Sequence, residues 1–173
     1  ALSSYGYTDL AYALLLRKEY PSWLFSVKQG ATTIWEHWDG KNEKGEMWSR
    51  DMNSFNHYAY GAVASWMYGT MCGIKPDEEK PGYENIKIKP IPDARLDWAN
   101  AMLDTKYGTV ISGWEKCEGG YKITVTIPAG ATADITVGET TEHVGGGVYE
   151  YMQATELNGL DHPDRYTYDF TIS

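Results

Sequence analysis

Glu36 is the side chain in this 173-residue sequence whose neighbours best equip it to move a proton. It stands among Ile34, Trp35 and Trp38, so that a carboxylate lies between rings able to exclude water and to stack on the apolar face of a ligand. A carboxylate in such a setting is suited to general-base work, and a sugar, apolar on its faces and polar at its edges, suits the wall. Trp35, next to the carboxylate in sequence, is the candidate stacking ring. His57 is the second polar candidate, since a neutral imidazole both donates and accepts. Plainer readings stand beside these: Glu36 as a solvated loop carboxylate, and His57 as a core histidine satisfied by a backbone carbonyl. His37, Asp39 and Asp51 read as solvated loop charges, Asp9 and Glu19 as helix-terminal residues, and Trp66 as core.

The elements that must position these groups follow from spacing. Thr8 and Asp9 offer a cap and an acidic first turn for a helix to about Lys18, with Leu10, Ala13, Leu14 and the Arg17 stem along one stripe. Pro21 stops it. Ser22 caps a second helix over 23–29, and Gly30 follows as a left-handed terminator. A loop then carries Glu36 from Ala31 to about Met52, long enough to be functional or mobile. From 53 or 54 to about 68, Phe55, Tyr58, Ala59, Ala62, Trp66 and Met67 recur at helical steps, predicting a third helix with His57 in its first turn, where the helix dipole favours a neutral ring.

Beyond Gly69 the pattern changes to strands. Ile86 and Ile88, then Ile123, Val125 and Ile127, alternate with polar residues, and Pro76, Pro81, Pro90 and Pro92 punctuate the chain. The predicted strands are 85–89, 96–105, 109–115, 121–127, 132–137 and 143–149. Gly119-Gly120 reads as a hairpin turn and Pro128-Ala-Gly130 as a further reversal. Short strands at this spacing indicate an antiparallel sandwich. His162-Pro163-Asp164 reads as a turn, and 166–172 as an added edge strand. The chain opens Ala1-Leu-Ser-Ser and enters a helical pattern within ten residues, from which we expect a piece of a longer chain.

Composition narrows the partners. At 42% hydrophobic the chain can bury an ordinary core. A formal charge of -9 with no basic block argues against nucleic acid and against anionic membranes, and no apolar run reaches membrane-helix length. Seven Trp and fourteen Tyr against three Phe favour rings with a polar handle, which suit wet binding clefts and equally suit a sandwich core. Cys72 and Cys117 form neither a disulfide framework nor a zinc spacing. Gly145-Gly146-Gly147 lacks the Lys and helix of a phosphate loop and reads as a loop. No cofactor and no metal are implied.

At the loop and the third predicted helix the residues form a pattern: Gly30-Ala-Thr-Thr-Ile-Trp-Glu36, Ser54-Phe-Asn-His57-Tyr-Ala-Tyr-Gly61, Trp66 and Gly73-Ile-Lys-Pro-Asp77. Pro81-Gly-Tyr83, Ile88-Lys-Pro90, Thr105-Lys-Tyr-Gly108 and Ile127-Pro-Ala-Gly130 continue it. In order and spacing these blocks resemble the bacterial α-L-rhamnosidases of glycoside hydrolase family 78, over about residues 5 to 137. The resemblance implies an α+β chain: the last helices of an (α/α)6 toroid followed by an antiparallel β-sandwich. It places the C-terminal portion of the helical catalytic barrel at 1–78 and the sandwich at 79–173.

It also implies the chemistry. Inverting glycoside hydrolysis uses one carboxylic acid to protonate the leaving oxygen and one carboxylate, roughly 6.5–9.5 Å away, to activate water. Glu36 occupies the family's general-base position, and His57 matches a residue that contacts rhamnose. The general acid matches no residue here. The implied partners are therefore a rhamnose-containing glycoside and the remainder of the parent catalytic domain, and the chain alone is expected to be inactive. Two other readings are carried forward. One is a different glycosidase or phosphorylase on the same toroid. The other is a non-catalytic carbohydrate-binding sandwich presenting Trp98 and Trp114 on an exposed strand face.

Overall fold

The computed structural model describes residues 1–155 apart from Trp48, Arg50 and Met52. The turn expected at His162-Pro163-Asp164 and the strand expected over 166–172 lie outside the described residues. Contacts divide the chain into two compact units, Ala1–Ala64 and Ser65–Ser173.

The first unit is a short helical hairpin with a long loop. Helix α1 (Thr8–Leu16) and helix α2 (Trp23–Lys28) bury Tyr12, Leu15, Leu16, Leu24 and Phe25. The buried stripe of α1 is therefore not the expected one. Leu10, Ala13 and Leu14 are exposed, because the contact with α2 turns the Tyr12–Leu15–Leu16 face inward. Thr8 lies inside the helix, and the residue before it, Tyr7, makes no side-chain cap. At α2 the expectation holds: Ser22 Oγ accepts the Phe25 N–H at 3.0 Å, and Gly30 adopts φ 84° just past the helix.

The third helix starts later than its spacing predicts. Residues 53–58 are not helical; a 3-10 turn at Ala59–Ala62 leads into α3 (Val63–Trp66) and a wide π turn at Met67–Met71. The cause is local competition for backbone groups. Ser54 Oγ takes the Asn56 N–H at 3.2 Å and His57 Nδ1 takes the Ala59 N–H at 3.3 Å. Ser54 and His57 also pair through their backbones with the Glu36 loop. His57 thus sits ahead of the 3-10 turn, outside any helix.

The second unit is a two-sheet sandwich. Strands β1 (Ile74–Pro76), β2 (Asn85–Ile88), β6 (Thr132–Val137) and β7 (Thr140–Val144) form one sheet in the order β1-β2-β6-β7. Strands β3 (Trp98–Thr105), β4 (Gly108–Cys117), β5 (Gly120–Ile127) and β8 (Gly147–Ala154) form the other, in the order β3-β4-β5-β8. All pairings are antiparallel except β2 with β6. Alternation places Ile86, Ile88, Ala133 and Ile135 of one sheet, and Val110, Ile123, Val125 and Ile127 of the other, in the core, where each larger side chain contributes about 1.5–3 kcal/mol.

The expected strand at 143–149 is two strands in different sheets. The chain crosses at Gly145-Gly146, where a Cβ on Gly146 would lie 2.5 Å from Ala129 Cα. The short strand β1, which alternation does not predict, ends in a proline on the sheet edge, where the missing N–H costs no ladder bond. Gly73, just before β1, has φ 77°, and a Cβ there would meet Lys89 and Pro90 backbone atoms at 2.2 Å.

Candidate active-site segment

Glu36 is held by a residue far along the loop. Its N–H donates to Ser54 O at 2.9 Å, and its own Oε2 accepts the Ser54 N–H at 3.0 Å. Two residues earlier, Ile34 O accepts the His57 N–H at 2.8 Å. Segments 34–36 and 54–57 therefore run side by side, and the carboxylate and the imidazole that the sequence singled out are brought to one place by backbone pairing. Glu36 and His57 are both half-buried.

Rings pack the two segments together. Trp35 is 5% exposed and meets Phe55 edge-on at 5.1 Å. Trp38 stacks on Tyr60 at 3.9 Å and 16°, and meets Trp23 of α2 edge-on at 5.2 Å. Trp23 Nε1 donates to Tyr60 O at 2.9 Å, satisfying its polar handle. Thr33 Oγ1 donates to Phe55 O, and Asn53 Nδ2 donates to Gly40 O at 2.9 Å. Gly40 is buried against these groups: a Cβ there would lie 3.0 Å from the Trp35 ring and 3.2 Å from Phe55.

These contacts assign the predicted residues distinct places. Trp35, buried against Phe55, has little surface left for the stacking on a ligand expected of it. His57 uses Nδ1 for the Ala59 N–H, and its ring lies parallel to that of Tyr58, which is 88% exposed. His37 and Asp39 are half-buried and Asp51 is exposed. Ser54, Phe55 and Tyr60 join these groups; helical spacing puts Phe55 on a helix stripe instead, and no spacing rule pairs the three with partners about twenty residues away in a loop. Among the described residues no group of three His, Cys, Asp or Glu side chains is placed to hold a metal ion.

In the sandwich, Trp114 is a core residue and not an exposed stacking ring. It is 3% exposed, and its indole N–H donates to Met71 O at 2.9 Å. Ser112 Oγ likewise donates to Cys72 O at 2.6 Å, and burial pushes the Cys72 thiol up to about 12. Trp98 does face solvent, at 38% exposure.

Comparison with known proteins gives two adjoining matches. Residues 1–71 match a bacterial alpha-L-rhamnosidase 6 hairpin glycosidase domain, and residues 73–151 match a bacterial alpha-L-rhamnosidase C-terminal domain. An alpha-L-rhamnosidase of Formosa agariphila is 45% identical over 136 residues, covering 79% of this chain and 14% of the relative. One from Streptomyces avermitilis is 38% identical over 136 residues, covering 79% of this chain and 13% of the relative. The chain thus spans only a small part of the curated relatives it matches.

Among solved structures, native α-L-rhamnosidase of Aspergillus terreus superposes with a TM-score of 0.82 at 34% identity, covering 88% of this chain and 18% of that one. The Streptomyces avermitilis enzyme complexed with L-rhamnose gives a TM-score of 0.77 at 33% identity, covering 86% and 16%.

Proposed function

The chain belongs to the bacterial α-L-rhamnosidase family, and from that premise we propose that it is part of a glycoside hydrolase that removes terminal α-L-rhamnose by an inverting two-carboxylate mechanism. The residues up to about 71 are the C-terminal portion of the helical (α/α)6 catalytic barrel, and the C-terminal sandwich begins with β1 at Ile74, ahead of the boundary at 79 that the sequence suggests. Glu36 is the general base. The observation that carries this reading is the double contact between Glu36 and Ser54, which fixes one carboxylate oxygen at 3.0 Å from a backbone N–H. A carboxylate held by one oxygen is oriented in advance and keeps further lone pairs to take a proton from water.

His57 supports the base. Because Nδ1 accepts the Ala59 N–H, the neutral ring carries its proton on Nε2, a donor for a sugar hydroxyl oxygen. Trp35 contributes by packing against Phe55, which ties segment 34–36 to segment 54–57. The general acid comes from the remainder of the catalytic domain, so the 173-residue chain alone does not turn over.

The test is hydrolysis of an aryl α-L-rhamnoside by the full-length protein and by its Glu36→Gln form, beside other aryl glycosides. Gln retains an acceptor for the Ser54 N–H but cannot take the proton. We expect selective rhamnoside cleavage and a loss of about 10²–10⁴-fold in kcat with the thermal transition unchanged. Preference for another glycoside overturns the substrate, a harmless Gln overturns the base, and turnover by the isolated chain overturns the shared site.

A further inference from the structure

The outer face of the β3-β4-β5-β8 sheet carries a second feature, remote in sequence from Glu36. Register sets Trp98, Glu115, Lys122 and Met152 in one row across the four strands. Asn100, Gly113, Thr124 and Glu150 form the next, and Met102, Ile111, Thr126 and Val148 the third. The middle row dips because residue 113 has no side chain. A Cβ there would lie 2.8 Å from both Ala99 O and Asn100 Oδ1, so the Asn100 amide reaches over the space that any other residue would fill. The result is an open trough of about 400 Å³ whose polar lining includes Trp98, Asn100, Glu115, Lys122, Thr124 and Thr126.

We propose that this trough is a secondary glycan-binding site that takes a short segment of a neutral oligosaccharide. The chemistry of the lining selects the ligand class. A half-exposed indole offers a face for the C–H side of a pyranose ring, and an amide, a carboxylate and two threonine hydroxyls stand beside it to meet ring hydroxyls. Among the described residues, the side chains of Asn100, Thr124 and Thr126 make no hydrogen bond to protein. Lys122 is paired with Glu150 at 2.7 Å and faces Glu115 across the β4–β5 pair, so that among the described residues of these rows two carboxylates share one lysine. Together with a formal charge of -9 on the chain, that disfavours an anionic polymer. On the opposite outer face, by contrast, Lys87 and His143 are both paired with Asp134. The proposed glycosidase activity enters only in choosing which glycan to offer.

Hydroxyl-radical footprinting of the full-length protein tests this, with Trp98 and the neighbouring Met102 and Met152, which are 53% and 61% exposed, as oxidisable reporters. The probes are a neutral rhamnan and dextran. We expect all three residues to oxidise readily in the free protein, and Trp98 to be protected several-fold by saturating glycan. Protection should persist in the Glu36→Gln form. Asn100→Leu, an exposed substitution, should weaken binding roughly three- to tenfold, the loss of one neutral hydrogen bond. Protection by either polymer supports the site, while hydrolysis of the rhamnoside is scored separately, so this proposal and the catalytic one fail independently. Trp98 unreactive in the free protein would mean that the rest of the chain covers the face, and equal oxidation with and without either glycan would mean that no sugar binds; each result overturns the proposal.

Discussion

The two units hold themselves together by different means. In the sandwich, cohesion is repetitive: two four-stranded ladders face each other, and each inward residue repeats the contribution of its neighbour. In the first unit, cohesion beyond the α1–α2 contact depends on single, non-repeating contacts, such as the Glu36–Ser54 pair, the Ile34–His57 bond and the Trp23–Trp38–Tyr60 ring cluster. Repetition makes a region tolerant and easy to read, whereas single contacts can set one carboxylate in one orientation. Chemistry is therefore expected in the first unit and bulk stability in the second.

That contrast can be broken or sharpened by substitution. The largest expected effect is Glu36→Gln, which should remove two to four orders of magnitude in turnover, about 3–5 kcal/mol of barrier, with no shift in melting. Ile123→Ala should do the reverse. Its side chain is fully buried, and deleting it should cost about 2–5 kcal/mol in a denaturant or thermal titration while leaving kcat of the surviving folded enzyme unchanged. Loss of turnover beyond loss of folded protein would show that the sandwich takes part in the chemistry.

Next in size is the polar network on the outer face of the first sheet. Asp134 accepts from Lys87 at 2.6 Å, from His143 at 2.6 Å and from Asn85 at 2.9 Å, and these partners hold its carboxyl well below the usual range. Asp77 is lowered too, first by the Asn85 amide. Depressed carboxylates stabilise the fold above their ordinary value near 3.8, and that contribution is lost as pH falls through the folded value. Asp134→Asn should therefore lower the melting temperature by roughly 4 °C at pH 7 and bring the two proteins together in strong acid. A gap independent of pH would assign the effect to packing. The smallest effect is Ser22→Ala, which removes the α2 cap and should cost about 1 kcal/mol, read as faster amide exchange over Trp23–Lys28 with the sandwich amides unmoved.

The same contrast explains what the sequence makes legible. Alternation at Ile123, Val125 and Ile127 is repeated and local, so strand β5 is readable to within a residue. The Ser22 cap and Gly30 terminator are equally local. Helical spacing at Phe55, Tyr58, Ala59 and Ala62 is also local, yet it misleads, because the pairing that unwinds 53–58 depends on a loop partner twenty residues away. The split of 143–149 between two sheets likewise depends on Ala129 passing beneath Gly146. At the candidate site, Glu36 was identifiable from its neighbours and from family resemblance. The residue that orients it, Ser54, was not, since only its backbone touches the carboxylate and any non-proline residue supplies the same N–H.

The two bonds from β4 to Cys72 and Met71 bear on where this protein can be cut or spliced. The two family matches change over between residues 71 and 73, which makes position 72 the obvious joint for a chimera or an isolated sandwich. Cutting there would take away Met71 O and disturb Cys72 O, the acceptors for the buried Trp114 indole and Ser112 hydroxyl, and each orphaned donor costs about 1–3 kcal/mol. A domain swap that carries the π turn Met67–Met71 along with the strands keeps both bonds, so the workable seam for engineering lies several residues before the apparent one.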